Sequence, residues 1–221
     1  MKIREKDAAQ IREELFERYP SLAACRNEII AAYDLIRGTY QDGGQMLVAG
    51  NGGSAADAEH IVGELMKSFL FNREIDPDVK EKITQYGEEG AVLAGKLEGA
   101  LPAVPLTSMP ALTTAITNDA DATIDFAQKL YGYGRKGDVF LGITTSGNSK
   151  NIIYALMVAK ARGIRTVALT GGTGGKCKGL ADVTIIVPER ETFKIQELHL
   201  PVYHAICAML EADLFEEKRM I

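Results

Sequence analysis

The stretch QMLVAGNGGSAADAEHIVGELM, residues 45–66, decides the fold. Met46-Leu47-Val48-Ala49 is a short apolar run, Gly50-Asn51-Gly52-Gly53-Ser54 is a turn, and Ala58, Ile61, Val62, Leu65 and Met66 then recur at helical spacing. The order is strand, glycine turn, helix. It recurs at GDVFLGITTSGNSKN, residues 137–151, where an apolar run from Val139 to Ile143 leads through Thr144-Thr145-Ser146-Gly147-Asn148-Ser149 into a helix carrying Ile152, Leu156 and Ala159. Gly163 stops that helix. Arg165 to Thr170 reads as another buried strand with its own loop, Gly171 to Gly175, and Val183 to Val187 as a further one. Strands alternating with helices predict the α/β class, with a doubly wound, mainly parallel sheet covered on both faces.

Upstream, a charged helix is expected around Ala8 to Arg18. An amphipathic one with Leu22, Cys25, Ile29, Tyr33, Ile36 and Tyr40 on one face follows behind a capping Ser21 and ends at Gly43-Gly44. Residues 1–44 thus form an N-terminal helical extension to a domain over 45–221. Between Leu70 and Pro102 lies a polar segment with a weak helical pattern near Val92 to Leu97, read as an inserted lobe at about 70–102. The last helix, Thr192 to about Glu217, contains Pro201, which is expected to kink or restart it.

Composition narrows the function. The 221 residues carry 25 Lys and Arg against 30 Asp and Glu, a net charge of -5, which argues against a broad nucleic-acid surface. A small anion can still be held locally. Cys25, Cys177 and Cys207 are widely spaced, without paired-metal spacing, and suit a reducing compartment. The first twenty residues are charged throughout, so no signal-peptide core is read there, and the uncharged run from Gly99 to Asn118 is broken by Pro102, Pro105 and Pro110. A cytoplasmic protein with no membrane partner is expected.

Ligands of a parallel sheet bind outside the carboxyl ends of its strands, where loops open into helices and free N–H groups converge. The Thr144 to Ser149 loop, rich in hydroxyls and nearly free of bulk, favours a phosphate monoester; the other reading is an ordinary serine-capped helix start. No Gly-Lys-Ser/Thr follows the glycines, so this is not a nucleotide P-loop, and Gly50 to Ser54 lacks the third-glycine spacing of a dinucleotide fingerprint. The three histidines fall in two short segments: His60 lies four before Glu64, on one helical face, and His199 and His204 lie in IQELHLPVYH, residues 195–204, with Gln196. A carboxylate beside imidazoles is a general base with its acid partner, or equally a divalent-metal site of mixed N and O ligands, or a His–Glu ion pair on a helix surface.

The runs GNGGSAADAEHIVGE and GDVFLGITTSGNSKN, the Asn118-Asp119 pair and the IQELH segment resemble the sugar isomerase (SIS) domain family, and within it the phosphoheptose isomerases. The resemblance covers Ser21 to about Leu214. It implies a flavodoxin-like three-layer sandwich and interconversion of sedoheptulose 7-phosphate and glycero-manno-heptose 7-phosphate, a step of bacterial heptose biosynthesis for lipopolysaccharide or capsule precursors. It further implies substrate contacts from Asn51, Gly52, Gly53, Ser54, Asn118, Asp119, Thr144, Thr145, Ser146, Ser149 and Gln196, with Glu64 and His204 as the acid/base pair. Zinc is implied on His60, Glu64, Gln196 and His204, with no nucleotide cofactor and no ligand role for His199. The chain departs from the family at Thr144, where serine is common, at Lys194, where arginine is usual, and in the Leu70 to Pro102 insert. The rival reading is a non-catalytic SIS protein that senses a phosphosugar or binds a partner such as a replication initiator.

A homotetramer with shared active sites is also expected. Gln196 and His204 stand about 12 Å apart along a helix, too far to meet one ion comfortably. The apolar faces of the Ser21 to Tyr40 helix and of the last helix, with Leu198, Val202, Ile206 and Leu210, are expected to pack against their copies.

Overall fold

Five strands, all parallel, form one sheet in the order β2-β1-β3-β4-β5, where β1 is Met46–Gly50, β2 Ala103–Pro105, β3 Val139–Ile143, β4 Arg165–Thr170 and β5 Val183–Ile186. In this computed structural model residues 6–216 are described. β1 sits at the centre, with Met46 opposite both Ala103 and Val139. The strand order reverses between β1 and β3, which opens a crevice at the carboxyl ends of those two strands.

The helices are α1 (Ala8–Arg18), α2 (Arg26–Gln41), α3 (Gly53–Met66), α4 (Pro77–Thr84), α5 (Glu88–Ala94), α6 (Pro110–Asp119), α7 (Asp125–Tyr133), α8 (Lys150–Ala161) and α9 (Thr192–Glu216). Strand side chains alternate, so every strand of the sheet's centre feeds two cores. Met46, Val48, Val139, Leu141 and Val167 join Ile29, Ile61, Leu65, Val202 and Leu210 on one face. Leu47, Ala49, Phe140 and Ala168 join Phe126, Leu130, Ile152 and Leu156 on the other. The result is the three-layer doubly wound sandwich expected from the sequence. Among the described residues no helix is long and apolar enough to cross a membrane.

Several local expectations change. Ser21 does not cap α2: Pro20, pre-set for the first turn of a helix, starts a 3-10 turn over Pro20–Cys25, and α2 begins at Arg26. α1 matches its expected span and closes with a capping box between Asp7 and Gln10. Ile11, Leu15, Leu22 and Ile36 share the core of the sheet, so the extension is packed into the domain. β2, α6 and α7 were not anticipated, because three residues are too few for a period and α6 is almost wholly exposed. The inserted segment is two short helices, α4 and α5, earlier than the weak pattern near Val92 to Leu97.

α9 runs unbroken through Pro201; Glu197, whose carbonyl loses its donor there, is on an exposed position. The expected end at Glu217 lies outside the described residues. Val202, Ile206 and Leu210 are buried in the chain's own core, as are Leu22, Ile29 and Ile36 of the earlier helical pattern. They are already covered, so they do not form the face between copies.

Candidate active site

α3 and α8 begin at the two strand ends that border the crevice and lie on opposite faces of the sheet. Their loops are tied together by a reciprocal amide pair: Asn51 Nδ2 donates to Asn151 Oδ1 at 3.0 Å, and Asn151 Nδ2 donates to Asn51 Oδ1 at 2.8 Å. Asn151 also takes the Ile152 N–H through the same Oδ1 at 3.0 Å.

In the loop after β3, Ser149 occupies the N-cap position of α8 yet makes no side-chain cap. Its hydroxyl lies 2.8 Å from Thr144 Oγ1. The first-turn amides of a helix have no intrahelical partner, so that choice leaves them to an incoming acceptor. Gly147 holds φ +66° with its α-carbon against the next loop: a Cβ there would lie 2.0 Å from Gly174 O. No side chain fits between the two glycine-rich loops. Thr144 is buried, Thr145 and Ser149 are half-buried and Ser146 is exposed, so the hydroxyls grade from floor to rim.

The histidines meet on α3 and α9. His60 Nε2 is 3.2 Å from Glu64 Oε1 and 3.4 Å from His204 Nε2. His60 Nδ1 is 3.1 Å from the Tyr203 hydroxyl, which donates to Asp57 Oδ1 at 3.2 Å. Lys67 Nζ stands 3.4 Å from Glu64 Oε2. Glu64 is 13% exposed and His60 44%, so the cluster has a buried acid end and an open imidazole end. Burial, and then the neighbouring His60, lower the His204 pKa from its ordinary value, with Glu64 opposing. His204 is therefore neutral near pH 7.

Gln196 is elsewhere. Its Nε2 would lie 2.5 Å from a Cβ on Gly53, at the start of α3, whereas His204 meets His60 two turns further along. The parallel helices thus bring together His60, Glu64 and His204 but not Gln196. Asn118 donates to Asp119 Oδ1 at 2.8 Å, and both are exposed at the end of α6. Ser54 is buried, while Gly52 and Gly53 are exposed at the crevice floor of α3. His199 is fully buried, its pKa lowered to about 4 by burial against an opposing contact with the Thr170 backbone, and it does not join the cluster.

A tetrahedral ion with bonds of about 2.1 Å separates its ligands by about 3.4 Å. The two His60 contacts, at 3.2 and 3.4 Å, have that edge length. Among the described residues, however, no group of three or more His, Cys, Asp or Glu is placed to hold an ion. The donor chemistry suits a divalent metal, and the set does not close within one chain.

Three participants escaped the sequence reading. Asp57 lies three residues before His60, on the same face of α3, and Tyr203 directly precedes His204; Asn151 sits inside the quoted loop motif. Spacing marks them only after His60 and His204 are known to touch.

Residues 13–98 and 88–171 match the SIS domain. The chain belongs to the SIS domain family. Among its SIS relatives, the phosphoheptose isomerase of Aneurinibacillus thermoaerophilus is 43% identical over 81% of this chain and 78% of its own length. That of Synechocystis is 36% identical over 86% of this chain and 85% of its own. Of solved SIS structures, the phosphoheptose isomerase from Neisseria gonorrhoeae superposes with a TM-score of 0.69 at 31% identity, covering 93% of each chain. The enzyme from Francisella tularensis gives 0.72 at 28% identity, over 87% of this chain and 90% of its own.

Proposed function

We propose that this SIS-domain protein is an aldose-ketose isomerase acting on a phosphosugar, converting sedoheptulose 7-phosphate into D-glycero-D-manno-heptose 7-phosphate. The observation that carries the reading is the Glu64–His60–His204 contact on the helix that opens at the crevice, beside a hydroxyl loop whose helix start is left uncapped. A sensor needs the second feature only. Phosphoheptose isomerases at 36–43% identity over most of the chain support the same class.

The chemistry moves one proton between adjacent carbons. Glu64 takes it from carbon 1 of the ketose and returns it to carbon 2 of the enediol, while His204, neutral at the working pH, serves the oxygens and ring opening. Thr144, Thr145, Ser146 and Ser149 hold the phosphate with the first amides of α8, and Asn51, Gly52, Gly53, Ser54, Asn118, Asp119 and Gln196 line the sugar. Mixing the protein with sedoheptulose 7-phosphate and following carbon-13 NMR is expected to show an aldose phosphate growing in. A ketose signal that never changes, with phosphosugar binding intact, supports the sensor instead.

Ser149→Ala is expected to raise the KM for the phosphosugar about two- to tenfold, the worth of one neutral hydrogen bond, with kcat little altered. Steady-state kinetics of Ser149→Ala and Ser146→Ala check this. Unchanged KM in both puts the phosphate elsewhere.

The reading also includes a cytoplasmic homotetramer with zinc at His60, Glu64 and His204 and with Gln196 supplied by a second copy. The buried, unpaired Cys25, Cys177 and Cys207 support a reducing compartment. Exposed Met66 on α3, Leu112 on α6, and Phe193 and Leu200 on α9 support a second copy across this open side. Zinc bound there supplies a Lewis acid for the sugar oxygens. Native mass spectrometry is expected to give four copies, each with a zinc ion that a chelator removes without unfolding the protein. A metal-free monomer with full activity contradicts both parts.

A further inference from the structure

We propose that Tyr203 and Asp57 are positioning residues that set the tautomer of His60, holding the proton on Nδ1 and leaving the Nε2 lone pair aimed at Glu64 and His204. A phenol has one proton and accepts through its remaining lone pairs. Tyr203 gives that proton to Asp57 Oδ1 at 3.2 Å. Its oxygen lies 3.1 Å from His60 Nδ1 and has nothing left to donate, so Nδ1 must be the donor. The neutral ring then carries its proton on Nδ1 alone, and Nε2 faces the carboxylate at 3.2 Å and the second imidazole at 3.4 Å as a bare acceptor. Reversed polarity would point an Nε2–H at the place where an electrophile or the substrate's hydroxyl proton has to sit.

The relay is built into the packing. Asp57 and His60 are one turn apart on α3, and Tyr203, buried on α9, crosses to both. The Tyr203 and His60 rings meet edge-on with centroids 5.6 Å apart, and the Tyr203 and His204 rings at 4.9 Å, so the phenol cannot swing away without unpacking the cluster. Burial, then Asp57, raise the Tyr203 phenol above its ordinary pKa, so the phenol stays protonated. Burial raises the Asp57 carboxyl, while its bond from Tyr203 and the nearby His60 pull it back down. Outer partners of this kind fix ring orientation and tautomer, and losing them typically lowers activity or metal affinity about 10- to 100-fold.

Only the kinetic arm of the test rests on the isomerase reading. The chain has three histidines, so nitrogen-15 histidine labelling of the metal-stripped protein gives a small spectrum, and the His60→Gln variant assigns the His60 signals. At about pH 8.5, above the ordinary imidazole range, wild type is expected to show protonated Nδ1 and bare Nε2. Tyr203→Phe keeps the ring and removes the hydroxyl, and His60 is expected to move to the Nε2–H form. Asp57→Ala frees the phenol proton to donate to Nδ1 and gives the same reversal, should Tyr203→Phe fold poorly. With sedoheptulose 7-phosphate, kcat of Tyr203→Phe is expected to fall about tenfold at a near-constant KM. A bare Nδ1 in wild type, or an Nδ1–H retained in both variants, overturns the proposal. A protein that turns over no phosphosugar yet shows both reversals sinks the isomerase reading and leaves this one standing.

Discussion

Glu64→Gln is expected to lower kcat by about 10² to 10⁴, the contribution of a positioned acid/base group, while phosphosugar binding stays close to wild type. Glutamine matches glutamate in size and keeps an acceptor oxygen towards His60 and Lys67, but it cannot take a proton from carbon. The phosphate contacts lie on the β3–α8 loop, on the other face of the sheet from α3, so they are untouched. Single-turnover kinetics and calorimetric titration separate the two effects. A parallel loss of binding and turnover would mean that Glu64 holds the sugar and another group moves the proton.

Arg73→Met is expected to destabilise the fold by about 3–5 kcal/mol, the cost of breaking a buried ion pair on one side. Arg73 and Glu211 side chains are both fully buried, with Nε to Oε1 at 2.6 Å. The guanidinium also donates to Leu65 O at 2.7 Å and Glu64 O at 2.8 Å, which closes the carboxyl end of α3. Glu211 in turn accepts the Phe69 and Leu70 N–H groups at 2.8 and 2.7 Å. Methionine fills the space but leaves a carboxylate and two carbonyls without their donor. Against a typical total of about 5–15 kcal/mol, the urea midpoint is expected to drop steeply at unchanged slope. A loss under about 1 kcal/mol would match an exposed pair and contradict the burial. Arg73→Lys is expected to recover little, because an ammonium cannot serve the three diverging acceptors from one plane. The same contacts hold the backbone of Glu64, so folded Arg73→Met protein is expected to be slower as well.

The contrast between these two positions explains what was legible in the sequence. Glu64 announced itself through His60 four residues before it, a pairing that helical geometry alone puts on one face. The Thr144 to Ser149 loop was equally plain, since a hydroxyl-rich turn after an apolar run has few structural uses. β1, β3 and β4 were visible because strands buried on both faces read as continuous apolar runs. Arg73 was invisible: it lies in a polar, charged segment that reads as solvated, and its partner is 138 residues away. Lys129 is the same case, a fully buried lysine that donates to Leu106 O, Thr113 Oγ1 and Asp125 Oδ2 and ties β2 and α6 to α7. Long-range polar pairs leave no local period. Pro201 misled for a different reason: a single missing N–H weighs less than the apolar burial on both sides of it, with Ile195, Val202, Ile206 and Leu210 holding α9 straight against the sheet.

The central claim is that Glu64 carries a proton between adjacent carbons of a phosphosugar. Its most direct test is to run the reaction of sedoheptulose 7-phosphate in heavy water with wild type and with Glu64→Gln, and to read carbon 2 of the product by NMR. A proton held on a half-buried carboxylate exchanges with solvent during turnover, so wild type is expected to give the aldose phosphate with deuterium at carbon 2. Glu64→Gln is expected to give essentially none. Product formed by Glu64→Gln at the wild-type rate with the same deuterium content would contradict the account.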